Sequence, residues 1–202
     1  MSTVQADKAW ERQATPLLLA EATQRFGGVI RQASLSDDLF HGTDFLWQIG
    51  GRAYRLACRI RHAAFIRYHD DFTIREDRPR TGLRTELEKI RAGDWAQVYA
   101  YGFSDGARIL HWSLFRMSRF NPEAPFSYMR GFGPNDQNDT VTRIYRISGQ
   151  PQGFLLSSPP AGMHSFPQGS SRNCVSPTPP AGIESITPPA IPAHQDQKRT
   201  AA

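Results

Sequence analysis

Arginine is concentrated in one stretch of the chain, from Arg52 to Arg91. This stretch contains eleven basic and six acidic residues, and ten of the eleven basic residues are arginine. Its excess of positive charge equals the formal net charge of +5 of the whole 202-residue chain. A guanidinium group can bind phosphate through two hydrogen bonds and can stack on bases. The stretch therefore predicts a surface that binds a nucleic acid, with DNA as the expected partner and RNA as the alternative.

Part of this positive charge falls on a predicted strand between Tyr54 and Arg61. Residues alternate along it, as is typical of a strand. The apolar face contains Leu56, Cys58 and Ile60, and the opposite face contains Arg55, Ala57, Arg59 and Arg61. Arginines on one face repel one another, which favours an anionic partner over a merely solvated sheet face. The arginines predicted to bind the nucleic acid are Arg55, Arg61, Arg67, Arg75 and Arg84.

The elements that position these residues follow the order α-β-β-β-α-β-β. The predicted elements are a helix at Thr3–Phe26, strands at Asp44–Ile49, Tyr54–Arg61 and Asp71–Arg75, a helix at Gly82–Gly93, and strands at Trp95–Phe103 and Arg108–Arg116. Gly50 and Gly51 predict a hairpin turn between the first two strands. We expect an α/β domain with a small mixed β-sheet flanked by helices.

The end of the chain has a different composition. Ten of the fifteen prolines lie from Pro151 onward, among many serine, glycine and threonine residues. We therefore expect an α/β domain over residues 1–148 and a disordered, Pro/Ser-rich tail over 149–202. Within 121–148 the pattern is weak and indicates loop, with a candidate edge strand at Thr140–Ile147. A docking segment for a protein partner at Pro177–Pro180 is one interpretation of the tail, and flexible filler is the favoured one.

The element order, together with Gly42-Thr43-Asp44 at the start of the first strand and a charged strand after a two-glycine turn, resembles the core of the PD-(D/E)XK nuclease superfamily. The resemblance covers roughly Thr3 to Arg116 and implies a restriction-endonuclease-like core. In that family, carboxylates on the first two strands hold a divalent metal over a phosphodiester, and a lysine assists. Asp44 matches the first acidic position. The triplet Ala57-Cys58-Arg59 lies at the second position and lacks both the carboxylate and the lysine.

The resemblance leaves two alternatives open. In the first, Asp44 and Glu86 hold Mg²⁺, and Arg59 and Lys89 contact the scissile phosphate; Glu21 and Asp71 are further candidates for the second carboxylate. The protein would then be a metal-dependent DNA endonuclease. In the second, the site is inactive and the arginines bind phosphates only. The protein would then be a noncatalytic nucleic-acid-binding or accessory protein of a phage or mobile element.

Other residues indicate little further chemistry. Phosphate-binding glycine motifs do not occur in the sequence, and no histidine spacing resembles a zinc site. The two cysteines, Cys58 and Cys174, lie far apart, and no apolar run is long enough to cross a membrane, so we expect a cytoplasmic protein without a membrane partner. Four aromatic residues could stack on bases, although core packing is the simpler interpretation: Phe65, Tyr68, Phe72 and Phe103.

Overall fold

Two β-sheets and the helices beside them account for most of residues 3–77, 84–131 and 140–158, which are the residues that the computed structural model describes. The helices are α1 (Thr3–Phe26), α2 (Leu35–His41) and α3 (Glu86–Arg91), with 3₁₀-helices at Ala63–Tyr68 and Met117–Arg119. The strands are β1 (Val29–Gln32), β2 (Phe45–Ile49), β3 (Arg52–His62), β4 (Asp71–Asp77), β5 (Val98–Ser104), β6 (Ile109–Arg116), β7 (Phe126–Gly131), β8 (Thr140–Arg146) and β9 (Leu155–Ser157). The predicted mixed α/β class is confirmed.

The larger sheet has six strands in the order β1-β2-β3-β5-β6-β9. Gly50 and Gly51 have φ values of 55° and 74° and form the predicted turn between β2 and β3, since two positive φ angles suit a two-residue hairpin. The pairing of β3 with β5 is parallel, and the other pairings in this sheet are antiparallel. A parallel pair requires a crossover, and this crossover contains β4 and α3.

Helix α1 covers one face of the six-stranded sheet. Its buried residues Ala14, Leu18 and Ala22 pack in the same apolar cluster as Leu56 and Ile60 of β3. This confirms which face of β3 is apolar. The helix passes through Pro16 and ends where Gly27 and Gly28 adopt positive φ, as the two-glycine signal predicts.

The other face of the large sheet packs against a second sheet of three strands, in the order β4-β8-β7. The core between the sheets is aromatic. Its centre is Phe72, whose ring contacts those of Phe115, Tyr145 and Phe154 at centroid distances between 5.0 and 5.5 Å. Ala57 and Arg59, in the middle of the arginine side of β3, therefore face this layer and not open solvent.

Several predicted boundaries need correction. The strand at Asp71–Arg75 is β4 and belongs to the second sheet, not to the sheet of β2 and β3. The candidate edge strand at Thr140–Ile147 is the central strand β8. The segment between the first predicted helix and the first predicted strand contains α2, for which no element was predicted. This helix begins after the N-cap Ser34, whose hydroxyl accepts a hydrogen bond from the backbone N–H of Asp37 at 3.1 Å.

The chain also continues in the fold beyond the boundary predicted at Ser148. Phe154 is buried in the core between the sheets, and β9 pairs with β6. The predictions for Cys174 and for the tail beyond Ser158, including Pro177–Pro180, concern residues outside the described ranges, as do Arg78 and Arg80 of the arginine-rich stretch. Among the helices of the described ranges, none has the length and apolar character needed to cross a membrane.

Candidate functional site

Arg59 occupies the space between the two sheets. It lies on β3 opposite Tyr101 of the parallel strand β5, and its side chain is only 16% exposed. Its Nη1 atom donates to the carbonyl oxygen and to the hydroxyl of Thr73, both at 2.9 Å. Its Nη2 atom donates to Oε1 of Glu86 at 2.5 Å. The guanidinium group therefore joins β3, β4 and α3.

Glu86 is the first residue of α3, which begins after a capping box formed by Thr85 and Glu88. Its Oε1 contacts Nη2 of Arg59 at 2.5 Å and Nε of Arg75 at 3.1 Å. Its Oε2 accepts the backbone N–H of Arg75 at 2.8 Å. Both carboxylate oxygens thus accept hydrogen bonds from arginine residues, and Arg75 links β4 to this network. Burial alone would lower the pKa of Arg59, but Glu86 raises that pKa above its ordinary value.

Hydroxyl groups complete this network around Thr73. The Tyr99 hydroxyl donates to the Thr73 carbonyl oxygen at 3.2 Å, and burial raises the pKa of Tyr99, so this phenol stays neutral. The Tyr101 hydroxyl lies 3.3 Å from Nη1 of Arg61. These partners were missed in the sequence. The signal that could have identified Tyr99 and Tyr101 is their alternation on β5, in register with Ala57 and Arg59 on β3.

Asp44 lies just before β2, near this network. Its Oδ2 accepts the backbone N–H of Cys58 at 2.7 Å, which extends the contact between the start of β2 and β3. Burial raises the pKa of Asp44 to about 6, and the charges of Asp38 and Glu86 act in the same direction. Arg59 acts in the opposite direction. Arg59 and Glu86 therefore lie close enough to Asp44 for their charges to affect its pKa.

The predicted metal pair, Asp44 and Glu86, does not fit a Mg²⁺ site in this arrangement. Mg²⁺ needs carboxylate oxygens with free lone pairs and near-octahedral geometry. Glu86 is neutralised by two guanidinium groups, and one oxygen of Asp44 is committed to a backbone N–H. Across the described part of the chain, no three His, Cys, Asp or Glu side chains come together in a group that could hold a metal ion.

Lys89 lies elsewhere in the fold. It is buried, and its Nζ donates to the carbonyl oxygen of Leu39 at 2.5 Å and to that of Asp38 at 3.5 Å. These carbonyl groups belong to the last turn of α2, where a cation interacts favourably with the helix dipole. Lys89 therefore supports α2, and its contact with a scissile phosphate stays a prediction.

Arg55 and Arg84 gather around Asp94, toward the start of β3. Nη2 of Arg84 contacts Oδ2 of Asp94 at 2.8 Å, and Nη1 of Arg55 lies 3.5 Å from the Asp94 carbonyl oxygen. Nδ1 of His41 lies 3.2 Å from the same carbonyl oxygen. The hydrogen bond from Arg84 lowers the pKa of Asp94. Arg55 and Arg84, two of the arginines predicted to bind nucleic acid, thus both contact Asp94.

Arg61 and Arg67 lie at the other end of β3, beside exposed aromatic rings. The guanidinium carbon of Arg61 lies 4.9 Å from the ring centroid of Phe65, and that of Arg67 lies 4.8 Å from the centroid of Tyr68. These are cation–π distances. Phe65 is 39% exposed and Tyr68 is 45% exposed. We call Arg61, Phe65, Arg67 and Tyr68 the Arg–aromatic turn.

The 3₁₀-helix Ala63–Tyr68 explains why these rings point outward. A 3₁₀-helix has three residues per turn, so side chains three apart lie on one side. Ile66 packs against the core between the sheets, and Phe65 and Tyr68 share an exposed row. The other two aromatic residues of the sequence prediction, Phe72 and Phe103, are buried in the core, as the simpler interpretation expects.

Comparisons of the chain with protein-family models, with curated proteins and with solved structures found no match. The resemblance to PD-(D/E)XK nucleases therefore rests on the quoted residues alone, and the restriction-endonuclease-like core stays a prediction. The described structure supports a mixed α/β fold in which the Arg–aromatic turn is exposed and the ion pair of Arg59 with Glu86 is largely buried.

Proposed function

We propose that the protein binds nucleic acid through the Arg–aromatic turn and acts without cleaving it. The observation that carries this proposal is the pairing of two arginines with two exposed aromatic rings on one six-residue 3₁₀-helix and the strand before it. Guanidinium groups bind phosphates, and exposed ring faces stack on bases. A surface that offers both groups side by side suits a polyanion that carries bases.

The noncatalytic form of the proposal is supported by the state of the two carboxylates. A nuclease of the predicted type would use Asp44 and Glu86 to hold a metal ion over the phosphate. Glu86 instead forms ion pairs with Arg59 and Arg75 inside the fold. Removing Glu86 from these pairs would leave Arg59 without its counter-charge in a largely buried position, which is costly.

Binding and salt dependence test the proposal. Fluorescence anisotropy with labelled DNA, in single-stranded and duplex form, should show binding that weakens as the salt concentration rises, because phosphate contacts release counterions. Arg67→Ala should weaken binding and reduce the slope of log K against log salt by about one. Unchanged affinity and slope in this variant, or no binding by the wild type, would contradict the proposal.

Arg119→Ala is the matched control. Arg119 is an exposed arginine on the 3₁₀-helix after β6, and its loss changes the net charge by the same amount. The strand register places it at the opposite end of the sheet, because Ser104 pairs with both His62 and Ile109, whereas Arg116 pairs with Val98. We expect this variant to bind like the wild type. An equal loss in both variants would show that net charge alone controls binding.

A cleavage assay tests the noncatalytic part separately. Plasmid and linear DNA with Mg²⁺ or Mn²⁺ should remain intact with the wild-type protein, as they should with Asp44→Asn. Nicking by the wild type that disappears in Asp44→Asn would restore the nuclease hypothesis, and Asp44 would then have to bind the metal despite its contact with Cys58.

A further inference from the structure

We infer that the nucleic acid is single-stranded and that unpaired bases stack on Phe65 and Tyr68. The inference rests on the proposed function and assigns its substrate class. Phe65 and Tyr68 are each more than a third exposed while an arginine lies against the ring. An open ring face next to a guanidinium group is the combination that holds single-stranded nucleic acids.

The geometry of the turn favours unpaired bases over a duplex. In a duplex, base faces are covered by their neighbours, so that a protein reaches only phosphates and base edges. An aromatic face therefore gains stacking energy only from a base that has left its stack or that was never paired. Phe65 and Tyr68 are three residues apart on a 3₁₀-helix, so both rings project from one side, with Cα positions about 6 Å apart along the helix axis. Two bases of one strand can be held by two such rings in succession.

The surroundings of the rings hold them in place before any ligand binds. Ile66 anchors the 3₁₀-helix to the core, and the His62 ring nitrogen accepts the backbone N–H of Ala64 at 3.2 Å, capping the helix at its start. Arg61 is itself tied to Tyr101 by a contact of 3.3 Å. A pre-organised ring loses little freedom on binding, which favours affinity. The exposed rings are thus parts of a firmly attached surface.

In the inferred complex, Arg61 and Arg67 contact phosphates of the nucleic acid, and the two aromatic rings contact the faces of its bases. These contacts recognise features that DNA and RNA single strands share. Thymidine-only and uridine-only oligonucleotides, which have little secondary structure of their own, therefore serve as two arms of one test. Tighter binding of either oligonucleotide than of a duplex supports the inference, and the comparison between the two shows which sugar is preferred.

The test combines these probes with ring substitutions. Phe65→Leu and Tyr68→Leu keep an apolar side chain and remove the aromatic face. Each should reduce affinity for the single strand by roughly tenfold, the usual loss for one base–aromatic stack, and should leave the weaker duplex binding nearly unchanged. Tyr68→Phe keeps the ring and should bind like the wild type. Tyr128→Leu is the control, because Tyr128 is a similarly exposed tyrosine near an arginine on the second sheet, and it should also bind like the wild type.

Each outcome decides the matter. Equal wild-type affinity for single strand and duplex, with no loss in either leucine variant, would overturn the inference while leaving the proposed function intact. Absence of binding to every probe would overturn both. Loss of affinity in Tyr68→Leu and in Tyr68→Phe alike would also overturn the inference, since the ring would then matter only through its hydroxyl group. Thermal unfolding of each variant shows that the fold is retained, which the exposure of both rings leads us to expect.

Discussion

Glu86→Gln tests whether the ion pair of Glu86 with Arg59 stabilises the fold. The substitution keeps the size of the side chain, and the glutamine oxygen can still accept the backbone N–H of Arg75. It removes the negative charge that neutralises Arg59. The two side chains are 16% and 15% exposed, so Arg59 would remain largely buried with no counter-charge.

The magnitude follows from this burial. Breaking a buried ion pair by removing one partner costs about 3–5 kcal/mol, and partial access of water to the pair places our expectation at about 3 kcal/mol. The chain contains a matched exposed pair, Arg91 and Glu123, whose side chains are 47% and 68% exposed. Glu123→Gln should therefore cost much less stability than Glu86→Gln, because water screens the exposed pair.

Urea unfolding followed by circular dichroism measures these differences. A shift in the midpoint of the unfolding transition, at an unchanged dependence of the free energy on urea concentration, reports the change in stability. A double variant, Arg59→Met with Glu86→Gln, removes both charges and should recover about half or more of the loss. If Glu86→Gln is no less stable than Glu123→Gln, the network is not a stabilising ion pair. A rise in wild-type stability with added Mg²⁺ that Glu86→Gln abolishes would instead identify Glu86 as a metal ligand.

Two further substitutions test the roles assigned to Asp44 and Lys89. The pKa of Asp44 is raised from 3.8 to about 6, so the folded state binds this proton more tightly, and the wild type loses stability as the pH rises from about 4 to about 6. At about 1.4 kcal/mol per pKa unit, Asp44→Asn should be up to about 3 kcal/mol more stable than the wild type above pH 6. Near pH 4 it should be no more stable than the wild type. Urea titrations that show the same difference in stability at both pH values would contradict this. Lys89→Met removes the donor to the Leu39 carbonyl oxygen and should cost about 1–2 kcal/mol in urea unfolding without changing nucleic-acid affinity. A loss of affinity at unchanged stability would return Lys89 to the phosphate contact that its sequence position predicts.

Local signals predicted the strand pattern of β3 and the turn before it correctly. The alternation in β3 separates Leu56 and Ile60 from Arg59, because the period of two belongs to the strand itself. The turn at Gly50 and Gly51 is equally local. These features depend on neighbouring residues only, so the sequence was sufficient for them.

The environment of Arg59 could not be predicted in the same way. Whether one face of a strand meets solvent or a second layer depends on distant segments, and here the layer includes β7 and β8 from a stretch with a weak sequence pattern. The same holds for Lys89, whose partners belong to α2, a helix that the sequence pattern did not predict. Long-range packing, not local propensity, decided both roles.

The aromatic residues show a third reason. Composition does not distinguish Phe65 and Tyr68 from Phe72 and Phe103, since all four are ordinary core residues by type. The 3₁₀-helix separates them, because its period of three turns Ile66 toward the core and leaves Phe65 and Tyr68 exposed. A short helix of this kind has a weak sequence signature, and the Arg–aromatic turn therefore became visible only in the structure.

The location of binding is the claim on which the account depends most. The most direct test is an NMR titration of the ¹⁵N-labelled protein with a thymidine-only oligonucleotide, in which the backbone amide shifts are followed residue by residue. We predict that the largest changes lie at residues 61–68, with small changes around Asp94 and at Arg119. Changes centred on α2 and α3, or no changes at low salt, would contradict binding through the Arg–aromatic turn.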